Sequence, residues 1–153
     1  MAERPNRYWD AIVPHIYVDG ATEAVDFYKR AFGAEELFRV IQPGGKILHA
    51  EISICGSVLM ISDPTNKDLY AGPRSSGRTT ASLHIFVDNN QALLQQAIAA
   101  GAEEIEPPTD MFYGDRISMV EDKAGVVWAI STHKEDVSPE EMERRMAAMA
   151  PKS

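Results

Sequence analysis

The chain has 153 residues, of which 44% are hydrophobic, and this is enough for one compact domain or for two small halves that share a core. Its 23 acidic residues outnumber its 15 basic ones and give a formal net charge of −8. Because no basic stripe interleaved with aromatic residues is present, the composition argues against nucleic acid and against an anionic membrane surface as partners.

The sequence has no segment that predicts membrane insertion or export. The first residues lack the apolar stretch of a secretory signal, and no run of about 18 apolar residues occurs, as a transmembrane helix would require. We therefore expect a cytoplasmic protein.

A polar leader, residues 1–11, precedes an alternating pattern at residues 12–18 that is typical of a strand. Apolar residues then recur at helical spacing over residues 21–32, and Gly33 is placed to end this helix in a left-handed conformation. Three further strands are predicted at residues 37–41, 46–54 and 57–62.

Residues 63–82 break this periodicity with several prolines, glycines and serines. A stretch of this length without a repeating pattern is a linker or a functional loop. Since it connects two halves that share a cleft, we expect it to pass near that cleft.

The second half of the chain repeats the first. His15-Ile16-Tyr17-Val18-Asp19 and His84-Ile85-Phe86-Val87-Asp88 share four of five residues at an offset of 69. Gly101-Ala102-Glu103-Glu104 matches Gly33-Ala34-Glu35-Glu36 at an offset of 68, after a helix predicted at residues 92–100. Strands are predicted at residues 116–121 and 126–132. An internal duplication of a βαβββ unit explains these matches.

We divide the chain accordingly. A single domain spans residues 12–133, with module one at 12–62, the connecting loop at 63–82 and module two at 83–133. A helical tail at residues 134–153 follows, in which Ser138 and Glu141 form a capping box and Pro139 takes the first helical position. Its stripe of Met142, Met146 and Met149 is expected to dock on the body of the protein, and contact with a second copy of the chain is the alternative.

Two paired modules enclose a cleft between the sheet faces that the helices do not cover. Strand alternation predicts which side chains face it. From module one these are His15, Tyr17, His49, Glu51 and Met60, and from module two they are His84, Phe86, Arg116, Ser118, Val120 and Ala129. Arg116 has the geometry to clamp a carboxylate or phosphate, although a salt bridge to Asp115 or Glu51 is an equal alternative.

Several motifs together resemble one family. They are Val13-Pro14-His15, Phe27-Tyr28-Lys29-Arg30-Ala31-Phe32-Gly33-Ala34-Glu35, His49-Ala50-Glu51, Phe112-Tyr113-Gly114-Asp115-Arg116 and Ser131-Thr132-His133-Lys134-Glu135-Asp136. From about residue 12 to residue 133 the chain resembles the vicinal oxygen chelate superfamily of glyoxalase, bleomycin resistance proteins and dioxygenases, and within it the PhnB-like group. Asp122-Lys123-Ala124-Gly125-Val126 departs from the Pro-Phe-Gly-His type of turn usual there. The resemblance implies an α+β fold of two βαβββ modules curved around a cleft, and a homodimer.

In active members of that superfamily, four cleft residues hold a divalent metal. By resemblance these positions are His15, Met60, His84 and Ala129 here, so both carboxylate positions are apolar. Two imidazoles alone make a weak site for a divalent ion. Glu51 is the one substitute that the sequence offers, if strand order brings it to His15 and His84.

Two functions remain open. The first is a metal-free protein that binds a small molecule in the cleft, with no cofactor. The second is a divalent-metal-dependent lyase or isomerase of glyoxalase type that uses His15, His84 and Glu51, with Glu51 as the candidate catalytic residue. The apolar residues at positions 60 and 129 favour the first function and argue against a ring-cleaving dioxygenase.

Overall fold

The computed structural model describes residue 8 and residues 11–151, so the predicted leader at residues 1–11 lies almost entirely outside the described residues. Within this part of the chain the elements are β1 (His15–Tyr17), α1 (Ala21–Phe32), β2 (Glu35–Ile41), β3 (Ile47–Ile54), β4 (Ser57–Ser62), α2 (Pro73–Ser76), β5 (Ser82–Phe86), α3 (Asn90–Ala100), β6 (Glu103–Asp110), β7 (Asp115–Glu121), β8 (Val127–His133) and α4 (Pro139–Met149).

The strands form two sheets of four, in the orders β1-β4-β3-β2 and β5-β8-β7-β6. The first strand of each half runs parallel to the last, and the other neighbours are antiparallel. The α+β architecture of two βαβββ modules with a C-terminal helix is therefore confirmed. None of the helices in the described ranges has the length and apolar character needed to cross a membrane.

Helix α1 begins and ends where the hydrophobic spacing predicts. Its N-cap, Gly20, has a left-handed backbone and no side chain to cap the helix. Instead the Asp63 carboxylate accepts hydrogen bonds from the backbone N–H groups of Gly20 and Ala21, at 3.0 and 3.3 Å, and from that of Ile47 at 2.8 Å. A residue from the end of β4 thus supplies the cap that the local sequence lacks.

Strand β6 was not predicted from its local pattern, because Pro107 and Pro108 interrupt it. Proline lacks a backbone donor and is tolerated in strands at sheet edges and bulges. The strand is the edge of its sheet, and its pairing with β7 shifts between Glu106 and Thr109, around the two prolines.

The core lies where the helices α1 and α3 meet the two sheets. Trp128 of β8 packs against Tyr28 and Phe32 of α1, with ring centroids 4.9 and 4.6 Å apart. Gln96 of α3 donates a hydrogen bond to the Ala31 carbonyl at 2.9 Å, which joins α3 to the C-terminal end of α1. The modules therefore share one core and do not each form their own.

A buried carboxylate links the modules at this core. Asp122, which is 1% exposed, accepts hydrogen bonds from the Tyr28 hydroxyl at 2.7 Å, the Trp128 indole at 3.0 Å and the Val126 backbone at 3.0 Å. Burial raises the pKa of Asp122, and the Tyr28 and Trp128 hydrogen bonds act against that rise. The departure from the family turn at residues 122–126 therefore begins with a structural residue.

The C-terminal helix starts as predicted, since the Ser138 hydroxyl accepts a hydrogen bond from the Glu141 backbone at 3.2 Å. Docking of its methionine stripe on the body is wrong for two of the three residues, because Met146 is 50% exposed and Met149 is 66% exposed. Arg145 attaches the helix instead, through Glu135 at 2.6 Å and the Phe112 carbonyl at 3.1 Å.

Candidate ligand-binding site

His15, Met60 and Glu51 lie in one row across the first sheet. His15 of β1 pairs with Met60 of β4, which pairs in turn with Glu51 of β3. Directly paired residues of neighbouring strands point to the same face, so these side chains share the face that was predicted for the cleft. Because β4 lies between them, the backbones of His15 and Glu51 are about 9–10 Å apart.

The orientation of His15 is set by Ser62. Its Nε2 lies 2.8 Å from the Ser62 Oγ, and the Ser62 hydroxyl donates its hydrogen to the Leu48 carbonyl at 2.8 Å. Since a hydroxyl has one hydrogen, Ser62 accepts from His15, and Nε2 is the protonated ring nitrogen. The lone pair of the neutral imidazole is therefore at Nδ1.

Burial and the neighbouring His49 imidazole lower the pKa of His15 below its ordinary value of 6.5. The ring is consequently neutral at pH 7. In this state Nδ1 is an acceptor and Nε2 is already used, so His15 offers a ligand one hydrogen-bond acceptor and no charge.

His49 and Glu51 form the second polar pair of this face. His49 Nε2 donates to Glu51 Oε1 at 3.2 Å, and the His49 ring meets His15 edge-on with centroids 5.4 Å apart. Glu51 is 5% exposed, whereas the His49 side chain is 27% exposed. The carboxylate thus lies behind the imidazole and orients it.

Three rings stack at the end of β1. Tyr17 lies between His15, at a centroid distance of 4.5 Å, and Tyr70 of the connecting loop, at 3.9 Å, with interplanar angles of 20° and 9°. Contacts between stacked aromatic rings are favourable beyond the area they bury. The loop thereby places an aromatic side chain on the predicted cleft face.

The loop also forms one wall of a cavity. A volume of about 350 Å³ is lined by His15, Ile16 and Tyr17 of β1, by Leu83 and Val126 of module two, and by residues between 71 and 81. We call it the β1–loop cavity. The prediction that residues 63–82 pass near the cleft is confirmed at this point.

Module two does not repeat the polar arrangement of module one. His84 pairs with Ala129, as His15 pairs with Met60, but the buried hydroxyl of Ser131, which corresponds to Ser62, has no hydrogen-bond partner in the described structure. Phe86, the counterpart of Tyr17, is 62% exposed. His84 and Phe86 line a cavity of about 350 Å³ together with Pro14 and Val58, and this cavity is different from the one that His15 lines.

Ser118 and Val120 were predicted on the cleft face, and the structure places them on the opposite one. Both are 0% exposed, and Ser118 pairs with the core residue Ile130. Met119 takes the cleft position instead, paired with Ala129. The reason is that module two has one residue fewer than module one before β7. The offset between the modules is therefore 68 from Glu51 to Met119 but 69 from Met60 to Ala129, and a shift of one residue exchanges the two faces of a strand.

Arg116 lies two residues before Ser118 on β7, so its side chain is on the same face as Ser118 and does not face the cleft. Its backbone pairs with Thr132, and its guanidinium bonds to Asp110 at 2.8 Å, not to Asp115 or Glu51. An anion clamp at this position is therefore not supported, because the fork of the guanidinium is engaged at the edge of the sheet.

Comparison with known proteins agrees with this geometry. The model of the glyoxalase/bleomycin resistance protein/dioxygenase superfamily matches residues 10–130. The chain belongs to this superfamily.

Among its relatives, the uncharacterized protein Mb0911c of Mycobacterium bovis is 35% identical over 142 residues, which are 90% of this chain and 93% of the relative. TioX from Micromonospora sp. ML1 is a similar solved structure, with a TM-score of 0.62, 25% identity and coverage of 84% of this chain and 100% of TioX. TnmS3, an antibiotic binding protein from Streptomyces sp. CB03234, shares the fold with a TM-score of 0.63 at 19% identity, covering 81% and 97% of the two chains.

The metal that this superfamily uses does not fit the residues present in one chain. The side chains beside His15 and His84 in the register are a thioether and a methyl group, which are poor ligands for a hard or borderline divalent ion. His15 directs its protonated Nε2 at Ser62, and Glu51 is bonded to His49. No group of three or more His, Cys, Asp or Glu in the described ranges is arranged to hold a metal.

Sequence reasoning missed two residues of the site, Ser62 and Tyr70. Ser62 could have been predicted, because it corresponds to Ser131 in the repeat and lies two residues after Met60, on the same face of the strand. Tyr70 carried no such signal, since the position of a loop residue depends on the path of the loop.

Proposed function

We propose that this protein binds a small organic molecule without a metal and that the ligand occupies the β1–loop cavity. One observation carries the proposal: the cavity joins apolar walls to the oriented acceptor of His15 and to the ring stack of Tyr17 and Tyr70. Ligand sites are commonly concave and mostly apolar, with a few polar groups that fix orientation. The volume of about 350 Å³ suits a molecule of one or two rings.

The superfamily and its neighbours support this proposal. TnmS3 is described as an antibiotic binding protein, so this fold can hold a small molecule. The possible metal ligands argue in the same direction. The glyoxalase-type alternative needs His15, His84 and Glu51 on one ion, and the described residues include no group of three or more His, Cys, Asp or Glu arranged to hold a metal. The motifs around His15 and His49 are our reason to place the chain near the PhnB-like group, and this placement remains a prediction.

We expect ligand binding to be independent of metal and to depend on Tyr17. In a screen of one-ring and two-ring compounds by protein NMR, binders should shift the His15 and Tyr17 signals equally with and without EDTA. Tyr17→Leu should lower the affinity for these compounds about tenfold, because the ring stack is lost. Tyr113→Leu, which alters a ring in the β6–β7 turn, is the matched control and should leave the affinity unchanged.

Two outcomes would count against this proposal. Binding that EDTA abolishes and Zn²⁺ restores would favour the metal-dependent lyase or isomerase instead. Binders whose signal shifts all lie away from β1 and the loop would place the ligand elsewhere.

We further propose that the protein is a homodimer. Large apolar side chains on β2 and β3 are exposed to between 36% and 53%: Leu37, Phe38, Val40, Ile41 and Leu48. Exposed apolar side chains grouped on adjacent strands are typical of an interface between chains. A second copy would cover them and also the open sheet face that carries His49.

Ile41→Glu should weaken this dimer about tenfold or more, because it buries a charge in an apolar contact. Light scattering after size exclusion should give wild-type protein twice the chain mass of 16.9 kDa and the variant a concentration-dependent lower value. Leu69→Glu adds the same charge on the exposed connecting loop and should stay dimeric. A wild-type mass of one chain at tens of micromolar would refute the dimer.

A further inference from the structure

Arg78 of the connecting loop differs from the other arginines of the protein. Seven arginines lie in the described part of the chain. Six of them bond to a carboxylate or a carbonyl: Arg30, Arg39, Arg74, Arg116, Arg144 and Arg145. Within the same ranges the guanidinium of Arg78 has no hydrogen bond or ion pair, and the residue lines both the β1–loop cavity and a smaller neighbouring one that Glu121 also lines.

The electrostatic surroundings of Arg78 differ from those of the protein as a whole. The chain has a formal net charge of −8, yet no Asp or Glu lines this cavity. His15, the other ionisable base in the lining, is neutral at pH 7 because burial lowers its pKa. The wall of this small, mostly apolar cavity therefore carries one positively charged residue, which has no ion-pair partner in the described structure.

Local hydrogen bonds hold the backbone that carries Arg78. The Ser76 hydroxyl donates to the Arg78 carbonyl at 2.8 Å, and the Thr79 hydroxyl donates to the Ala81 carbonyl at 2.7 Å. Gly77 has φ +78°, a left-handed conformation that directs the chain from α2 into this turn. The position of the Arg78 main chain is thus set before any ligand binds.

We propose that the β1–loop cavity selects small organic acids, with the carboxylate of the ligand at Arg78 and its apolar body against Tyr17 and Leu83. The planar guanidinium fork of Arg78 matches a carboxylate in two parallel hydrogen bonds. Ligand hydroxyl or N–H groups would meet the acceptor at His15 Nδ1. This inference rests on the proposed function, since it names the ligand class of the same cavity.

The structure thereby reassigns the anion clamp from the sheet to the loop. Arg116 is paired with Asp110 at the edge of the second sheet and does not line the cavity. It is a suitable control, because replacing either arginine changes the net charge of the protein equally.

The test uses matched pairs of acids and neutral amides with the same ring body: benzoate and benzamide, and 1-naphthoate and 1-naphthamide. Affinities for the full-length protein are measured by NMR titration of the His15 and Tyr17 signals. We expect each acid to bind about tenfold more tightly than its amide, as charge-assisted hydrogen bonds contribute in proteins. Raising the salt concentration should reduce this preference.

Arg78→Gln should remove the preference for the acid and should lower the affinity for the amide much less than the affinity for the acid. Arg116→Gln should retain the preference, and Arg78→Lys should retain part of it, because the charge remains without the fork. Thermal unfolding checks that all three variants are folded.

The possible failures are distinguishable. If acid and amide bind equally at His15 and Tyr17, the cavity is a binding site and the selection of acids is refuted. If Arg116→Gln removes the preference as fully as Arg78→Gln does, the effect is one of net charge and Arg78 is not the clamp. If no compound of either series shifts the cavity signals, the cavity does not bind such molecules, and the inference falls with the proposed function.

Discussion

Asp63→Ala is expected to lower the free energy of unfolding by about 4.5 kcal/mol, because hydrogen bonds to a charged group contribute about 1.5 kcal/mol each and this carboxylate accepts three. Asp63 is 5% exposed, so the backbone N–H groups of Ala21 and Ile47 would lose a buried acceptor. The favourable charge at the N-terminus of α1 would be lost as well. Urea unfolding followed by circular dichroism measures the change.

Asp68→Ala is the charge-matched control, because Asp68 is exposed on the connecting loop. Its free energy of unfolding should stay within about 0.5 kcal/mol of the wild type. If the two variants were equally stable, Asp63 would not be the cap of α1. Asp63 also follows Ser62 directly, so the Asp63→Ala variant should show altered NMR signals of His15.

Asp122→Ala is expected to lower the free energy of unfolding by about 3 kcal/mol. The substitution leaves the Tyr28 hydroxyl and the Trp128 indole buried without an acceptor, at a cost of about 1–3 kcal/mol each. Relief of the buried carboxylate offsets part of that cost, since its raised pKa shows that ionisation is disfavoured there. The measurement is again urea unfolding, with Trp128 as one of the fluorescent reporters.

Asp26→Ala removes the same charge from the exposed face of α1 and should leave the free energy of unfolding nearly unchanged. A double variant with Tyr28→Phe tests the mechanism directly. Once Asp122 has been replaced, Tyr28→Phe should be stabilising or neutral, because it deletes an orphaned hydroxyl. A double variant that adds a further large loss would show that the two residues contribute independently.

The fold was predictable because the sequence is duplicated, so each half supports the strand and helix assignments made in the other. The pentapeptides at His15 and His84 placed the first strand of each module, and helix α1 matched its hydrophobic spacing from residue 21 to residue 32. Strand β6 escaped detection, since its pair of prolines is permitted only by its place at a sheet edge. The position of β6 at the edge of the sheet depends on the tertiary structure, which local sequence patterns do not show.

The site was predictable in module one and not in module two. Alternation along β3 placed His49 and Glu51 correctly. Glu51 pairs with Met60, which pairs with His15, so these three side chains and that of His49 lie on one face of the sheet, as predicted. In module two a single lost residue reversed β7, so Arg116 and Ser118 were assigned to the wrong face. The bond from His15 to Ser62 depended on side-chain geometry across β1 and β4.

The cap that Asp63 places on α1 has a consequence for folding during synthesis. The helix N-terminus and its carboxylate partner are separated by 42 residues, so α1 leaves the ribosome well before its cap is made. Until β4 has paired, no side chain caps the backbone N–H groups at the start of the helix, and its first turn will fray. The N-terminal turn of α1 should therefore become ordered only after residue 63 has emerged, together with the pairing of β3 and β4 and not before it.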